Sequence, residues 1–177
     1  MKKIFALIIS LCLVSLCLFA CGNDDSDGAS GQNPSNNSSL TPALNFSFTD
    51  PQGKSYSLSQ MLDKPVVLNF WASWCPPCKS EMPDFEKLYA IYGERVNFVM
   101  VSVDDTIADA TAFIEGTSYT FPYYHDNTGY GSYLYNVTSI PRTYFISKDG
   151  YIVSSCLTMI TEAQLTEGIE ALLTTQN

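Results

Sequence analysis

Val66-Val67-Leu68-Asn69-Phe70-Trp71-Ala72, followed after one serine by Trp74-Cys75-Pro76-Pro77-Cys78, constrains this chain more than any other stretch. A nearly continuous apolar run without alternation predicts a strand buried on both faces. Beyond it Met82, Phe85, Leu88, Tyr89 and Tyr92 recur at helical spacing, so a helix is expected from Cys75 to about Tyr92. Pro83 removes the hydrogen bond to the Lys79 carbonyl, and a kink is expected there. Two thiols two residues apart on the first turn of such a helix can close into a disulfide without moving the backbone. The helix N-terminus favours a thiolate on the outer one. Cys-x-x-Cys alone also occurs in zinc ribbons. Strand, Trp-Cys-Pro-Pro-Cys and helix in succession point to thiol–disulfide exchange.

The first residues read as a targeting segment. Lys2 and Lys3 precede an apolar stretch from Ile4 to Ala20, which is short for a spanning helix of about 20 residues. Residues 1–20 are therefore assigned to a signal peptide. Its end, Leu18-Phe19-Ala20-Cys21, resembles the lipobox of bacterial lipoproteins, which implies cleavage before Cys21 and a lipid on that thiol. An uncleaved N-terminal anchor is the alternative. Either places the domain on the extracytoplasmic face of a membrane, and two acyl chains suffice for stable anchoring. Residues 22–43 are rich in Gly, Asn, Asp, Ser and Pro and cannot bury enough surface to order themselves. As a flexible coil this linker reaches roughly 25 Å. Residues 44–177 suit one domain with one core.

Of nine basic residues, loss of Lys2 and Lys3 leaves seven against 18 acidic, a formal charge of −11. No basic patch remains to hold nucleic acid, so that class of partner is excluded. Of the six cysteines, Cys12 and Cys17 leave with the signal and Cys21 takes the lipid. Only Cys75, Cys78 and Cys156 remain, too few for a disulfide-stapled scaffold.

Along the domain, residues 45–48 alternate as a strand, Pro51-Gln52-Gly53 turns, and residues 54–56 return as a hairpin partner. Ser57 can cap a short helix through Leu62. Residues 96–103 read as a second buried strand, followed by a helix carrying Ile107, Ala110 and Ile114. Residues 121–124 read as extended and 128–135 as a Tyr-rich helical or irregular segment. Strands are expected over 142–147 and 151–157, joined by a tight Asp149-Gly150 turn. Thr161 with Gln164 forms a capping box for a last helix whose core face is Leu165, Ile169, Leu172 and Leu173.

Cys75 is the expected nucleophile, accessible and with its thiol pKa lowered at the helix start. Cys78, one turn in and more buried, is the expected resolving thiol. Resolution needs Cys78 deprotonated in a poorly solvated place. Glu81, three residues on and nearly on the same helix face, is the candidate acid/base. The competing reading of Glu81 is a solvated helix carboxylate. Pro76-Pro77 stiffens the backbone between the thiols, withholds donors from the outer sulfur and tunes the redox potential. Trp74 shapes the surface beside Cys75, while Trp71 belongs to the core. His125 reads as a surface or satisfied loop residue, and Cys156 as a small buried apolar residue rather than a third redox thiol.

The element order β-α-β-α-β-β-α, together with residues 69–83, residues 139–146 (Ser-Ile-Pro-Arg-Thr-Tyr-Phe-Ile) and Asp149-Gly150-Tyr151-Ile152, resembles the membrane-tethered thioredoxin-like proteins of the TlpA and ResA type. The resemblance covers roughly residues 44–173. It implies an α/β thioredoxin fold, a central mixed sheet flanked by helices, with an extra N-terminal hairpin. It also implies a cis proline at Pro141 facing the cysteines, with the Ile140 backbone pairing with an extended substrate and the ring keeping metal away. Asn69 stands where cytoplasmic thioredoxins carry a titratable Asp, and relatives of this type carry a Glu at the Glu81 position. Arg142 stands where many relatives have a small polar residue, and its charge could tune Cys75 or substrate choice.

The family implies reduction of disulfides in exported proteins, with apocytochrome c or an oxidised methionine sulfoxide reductase as clients. It implies a membrane thiol electron donor of the CcdA/DsbD type and no cofactor beyond the Cys75–Cys78 pair. Three alternatives stand beside it. A disulfide-forming oxidant of the DsbA class would run the same site backwards. A peroxiredoxin would need a Thr where Ala72 stands. A zinc or copper module would use the cysteines as ligands, and a non-catalytic tethered module would have no redox turnover. Zinc would want four soft ligands, where the domain offers Cys75, Cys78, a distant Cys156 and one His.

Overall fold

The structure, a computed structural model, describes residues 41–174. The expected signal peptide, Cys21 and residues 22–40 of the expected linker lie outside the described residues.

The apolar run forms β4 (Val66–Trp71), buried at every position. Its side chains alternate between two apolar clusters. Val67 and Trp71 face one with Phe98, Met100 and Phe145, while Val66, Leu68 and Phe70 face the other with Val99, Val101 and Ile146. A strand with core on both sides has no polar face, which is why its sequence does not alternate. The helix that follows, α1 (Pro76–Tyr92), runs unbroken through Pro83. It begins one residue later than expected, because Cys75 stays extended as the N-cap.

The chain continues through β5 (Asn97–Ser102), α2 (Ile107–Glu115), β6 (Tyr123–His125) and α3 (Tyr130–Leu134) to β7 (Arg142–Ile146), β8 (Tyr151–Cys156) and α4 (Glu162–Thr174). Parallel pairing of β4 with β5 and of β5 with β6 requires the two helical crossovers. Antiparallel β7 closes on the other side of β4, with Asn69 opposite Thr143. The β7–β8 turn has Gly150 at φ +81°, where a side chain would be strained. The Thr161–Gln164 box forms, with the Thr161 N–H donating to Gln164 Oε1 at 3.1 Å and the Gln164 N–H to Thr161 Oγ1 at 3.4 Å.

The chain start differs from expectation in register and extent. The hairpin strands are β2 (Ser47–Thr49) and β3 (Ser55–Ser57), each shifted a residue or two, and Leu58–Met61 is a 3₁₀ turn. Before them β1 (Thr41–Pro42) pairs with β8, within the span expected to be linker. Its composition is that of a linker, but the open edge of β8 supplies partners that composition does not reveal. The full order is β1-β8-β7-β4-β5-β6-β2-β3, a mixed sheet. Met82, Phe85 and Leu88 of α1, Ala110 of α2 and Leu165, Ile169 and Leu172 of α4 join one cluster, and Phe46, Phe48, Leu58 and Tyr135 join the other. This is the thioredoxin arrangement with an added N-terminal hairpin. Gly168 lets α4 close on β7, since a Cβ there would overlap the Phe145 ring.

Candidate active site at the start of α1

The strand-to-helix turn is built by backbone bonds. The Cys75 N–H donates to the Ala72 carbonyl at 3.1 Å and the Lys79 N–H to the Cys75 carbonyl at 3.1 Å. Pro76 and Pro77 occupy the first two helical positions and have no N–H to give. The sulfur of Cys75 therefore accepts from the first available donor, the Cys78 N–H at 3.2 Å. Cys75 and Cys78 are joined as a disulfide with Cα atoms 5.3 Å apart. In the reduced state the same N–H and the positive end of α1 favour a thiolate on Cys75.

Burial departs from expectation at the outer cysteine. Cys78 is fully buried, and Cys75 is only 3% exposed. The disulfide turns the Cys75 sulfur inward against Cys78, and Cys75 packs in the cluster with Trp71 and Met82. Trp74, 64% exposed, is the feature that marks the site at the surface. A groove of about 200 Å³ runs from Trp74 past Val103 and Val137 to Ile140, so the structure brings these two expected substrate-contacting residues together. The Ile140–Pro141 peptide is cis, and Pro141 is buried. A larger hollow of about 430 Å³, bordered by Cys156, Ile160 and α4, includes neither cysteine of the pair.

Two clamps frame the groove. The Asp104 carboxylate, just past β5, accepts from the Ser73 N–H at 3.0 Å, the Ser73 hydroxyl at 2.6 Å and the Ser102 hydroxyl at 2.6 Å. That holds the residue before Trp74. On the other wall Arg142 donates to the Asn136 carbonyl at 2.8 Å and to Thr138 Oγ1 at 3.2 Å. These bonds tie Arg142 to the loop that holds Asn136 at φ +49°. His125 is no surface loop residue. It ends β6, buried, with Nε2 2.9 Å from the Asp104 carbonyl, a long-range partner that sequence reasoning could not see. Cys156 is half-buried at the end of β8, its thiol donating to the Thr158 carbonyl at 3.3 Å.

Glu81 is not a solvated helix carboxylate. It is 2% exposed on the same buried face of α1 as Cys78. Oε1 accepts from Asn69 Nδ2 at 2.9 Å and Oε2 from the Ile160 N–H at 2.8 Å. Burial pushes its pKa up to about 7, against the two hydrogen bonds that favour the carboxylate, with a further upward push from Asp84. A carboxyl that titrates near neutrality, three residues from a buried cysteine, can take up or release that cysteine's proton. Among the described residues no cluster of three His, Cys, Asp or Glu side chains could hold a metal ion. Asn69 was marked only by the position it occupies in the resemblance. Neither its contact with Glu81 nor the parts of Thr143 and Ile160 were legible, since no spacing links these residues to Glu81.

Comparison with known proteins agrees with this site. The model of the AhpC/TSA family matches residues 40–155. The chain is 47% identical over 96 residues to the thiol-disulfide oxidoreductase ResA of Oceanobacillus iheyensis, covering 54% of this chain but only 50% of that one. It is 35% identical over 126 residues to ResA of Bacillus thuringiensis subsp. konkukian, covering 71% and 73%. The crystal structure of the pneumococcal exposed lipoprotein thioredoxin from Streptococcus pneumoniae superposes with a TM-score of 0.65 at 27% identity, covering 73% of this chain and all of that one. With a redox-ready cysteine pair on a thioredoxin frame, this chain belongs to the AhpC/TSA family and, within it, to the thiol-disulfide oxidoreductases of the ResA type.

Proposed function

We propose that this protein reduces disulfides in exported proteins from the extracytoplasmic face of a bacterial membrane, held there by a lipid on Cys21. The observation that carries the reductive direction is the setting of Glu81: buried, held at both oxygens and titrating at about 7, three residues from the buried Cys78. A reductase must deprotonate its inner thiol away from water, and such a carboxylate supplies the base. An oxidant relies instead on an exceptionally stable outer thiolate.

In the cycle, the Cys75 thiolate attacks one sulfur of the client disulfide. The client S–S bond breaks, a Cys75–client disulfide forms, and the departing client sulfur takes a proton. Cys78 gives its proton to Glu81 and attacks Cys75 Sγ. The mixed disulfide breaks, the Cys75–Cys78 bond forms, and the second client sulfur leaves to be protonated. Two electrons and two protons have passed to the client. A membrane thiol carrier of the CcdA/DsbD type returns the pair to the dithiol, with no other cofactor. Apocytochrome c and an oxidised methionine sulfoxide reductase are the proposed clients. The lipid tether draws support from the lipobox-like Leu18-Phe19-Ala20-Cys21 and from the likeness to a pneumococcal exposed lipoprotein.

Equilibration with glutathione or thioredoxin measures the reduction potential. A value near about −270 mV, as in thioredoxin, supports the reductive role, and one near about −120 mV, as in DsbA, overturns it. Cys75→Ala is expected to abolish insulin reduction. Cys78→Ala should accumulate mixed disulfides in the native host, which identify the clients.

A further inference from the structure

We propose that Asn69 and Thr143 are positioning residues for disulfide exchange, forming a neutral pair across β4 and β7 that fixes the Glu81 carboxylate for proton exchange with Cys78. This rests on Glu81 acting as the base in the proposed cycle. Position 69 lies on the α1-facing side of β4, between Val67 and Trp71, where the pattern asks for an apolar side chain. A fully buried amide at such a place costs free energy unless it is hydrogen-bonded. Asn69 recovers that cost only in part. Both Nδ2 hydrogens are committed, one to Glu81 Oε1 at 2.9 Å and one to Thr143 Oγ1 at 3.0 Å, while buried Oδ1 has no partner. An amide placed to satisfy itself would pair its oxygen first. This one is turned so that its donors serve the carboxylate.

Thr143 supplies the second anchor because β4 and β7 place it directly opposite Asn69, equally buried. Without its hydroxyl the amide could rotate and present oxygen to Glu81, which repels the ionised form. Thr143 also lies two residues after Pro141, so one short stretch supports both the groove and the carboxylate. The far oxygen of Glu81 is held by the Ile160 N–H at 2.8 Å, so carboxylate orientation is set from both ends.

The groups facing Glu81 leave Asn69 as the side-chain donor within reach of change. Asp84 on α1 faces it with like charge, and Cys78 lies one turn earlier. Asn69 of β4 and Thr143 of β7 are neutral. Cys156 of β8, opposite Thr143, turns its thiol to the Thr158 carbonyl. The lysines of α1 are engaged elsewhere: Lys79 lies over the Phe113 ring and Lys87 is paired with Glu162 of α4 at 2.6 Å. Loss of the Asn69 donor should therefore raise the Glu81 titration midpoint further, by about one pKa unit for one hydrogen bond to a charged group.

The test uses the full-length oxidised protein and follows the Glu81 carboxyl by infrared or carbon NMR titration, assigned by its loss in Glu81→Gln. Asn69→Leu and the near-isosteric Thr143→Val should raise the midpoint, and Thr143→Ser should restore it. Asn69→Asp should split it into two steps, since two carboxyls at that distance share a proton. In parallel, single-turnover reaction of the reduced protein with glutathione disulfide reads release of the second glutathione. The acid limb of that rate should move up with the midpoint, roughly fivefold slower at pH 7 and about tenfold slower well below it when the midpoint rises from about 7 to about 8. An unmoved midpoint in both Asn69→Leu and Thr143→Val overturns the positioning role. A midpoint that moves while the rate profile stays put sinks Glu81 as the base and with it the coupling to Cys78.

Discussion

Glu81 sits inside an apolar helix face, and its protonation is coupled to folding. An unfolded carboxyl titrates near 4.5 and the folded one at about 7, so between those values the folded state binds the extra proton. Stability gained from the neutral buried form is fully present below the unfolded value and is lost as pH rises to about 7. The two-and-a-half-unit gap corresponds to roughly 3 kcal/mol. Denaturant unfolding of the oxidised protein is expected to show this decline between about pH 4.5 and 7, and Glu81→Gln to remove it. Equal slopes in the two proteins would show that Glu81 is not the group responsible. At this scale the candidate Glu was visible from its spacing to Cys78. Its burial was not, because the Ile160 amide that helps hold it lies 79 positions away.

The short turn from β4 into α1 depends on Asp104 as much as on its own residues. A carboxylate receives one backbone and two hydroxyl donors at 2.6–3.0 Å, and through Ser73 it fixes the residue before Trp74. Asp104→Ala leaves the buried Ser102 hydroxyl and the half-buried Ser73 donors without their acceptor and is expected to destabilise the fold by about 2–4 kcal/mol. It should also raise the protease sensitivity of the bond between Ser73 and Trp74. Thermal unfolding together with limited proteolysis reads both, and a melting temperature equal to that of the parent would remove Asp104 from the structural account. The elements themselves were largely legible. Helical spacing of Met82, Phe85 and Leu88 and the continuous run of β4 report burial directly. The register of β2 was missed because a short half-buried strand carries too few residues for alternation to fix its ends.

Over the whole molecule, the sheet begins earlier than composition implies. Besides the β1–β8 pairing, the Ala43 N–H donates to the Gly150 carbonyl at 2.8 Å and the Tyr135 hydroxyl to the Leu44 carbonyl at 3.0 Å. A chain starting at Ser38 should therefore be more stable than one starting at Asn45, by about 1–3 kcal/mol for the lost edge bonds. Exchange rates of the two should match, since β1 lies at the sheet edge beyond β8, away from α1. Urea midpoints compare the stabilities, and coincident midpoints would mean that β1 contributes nothing. By itself the sequence determined the strand–Cys-Pro-Pro-Cys–helix unit, the thiol chemistry and the elements around it, because these are written in neighbouring residues and their periodicity. Only the tertiary structure decided what surrounds Glu81, where Arg142 and His125 spend their hydrogen bonds, and that Thr41 belongs to the sheet. Spacing tells which face of an element is buried. What lies against that face depends on strand order, which joins residues 12, 74 and 79 positions apart.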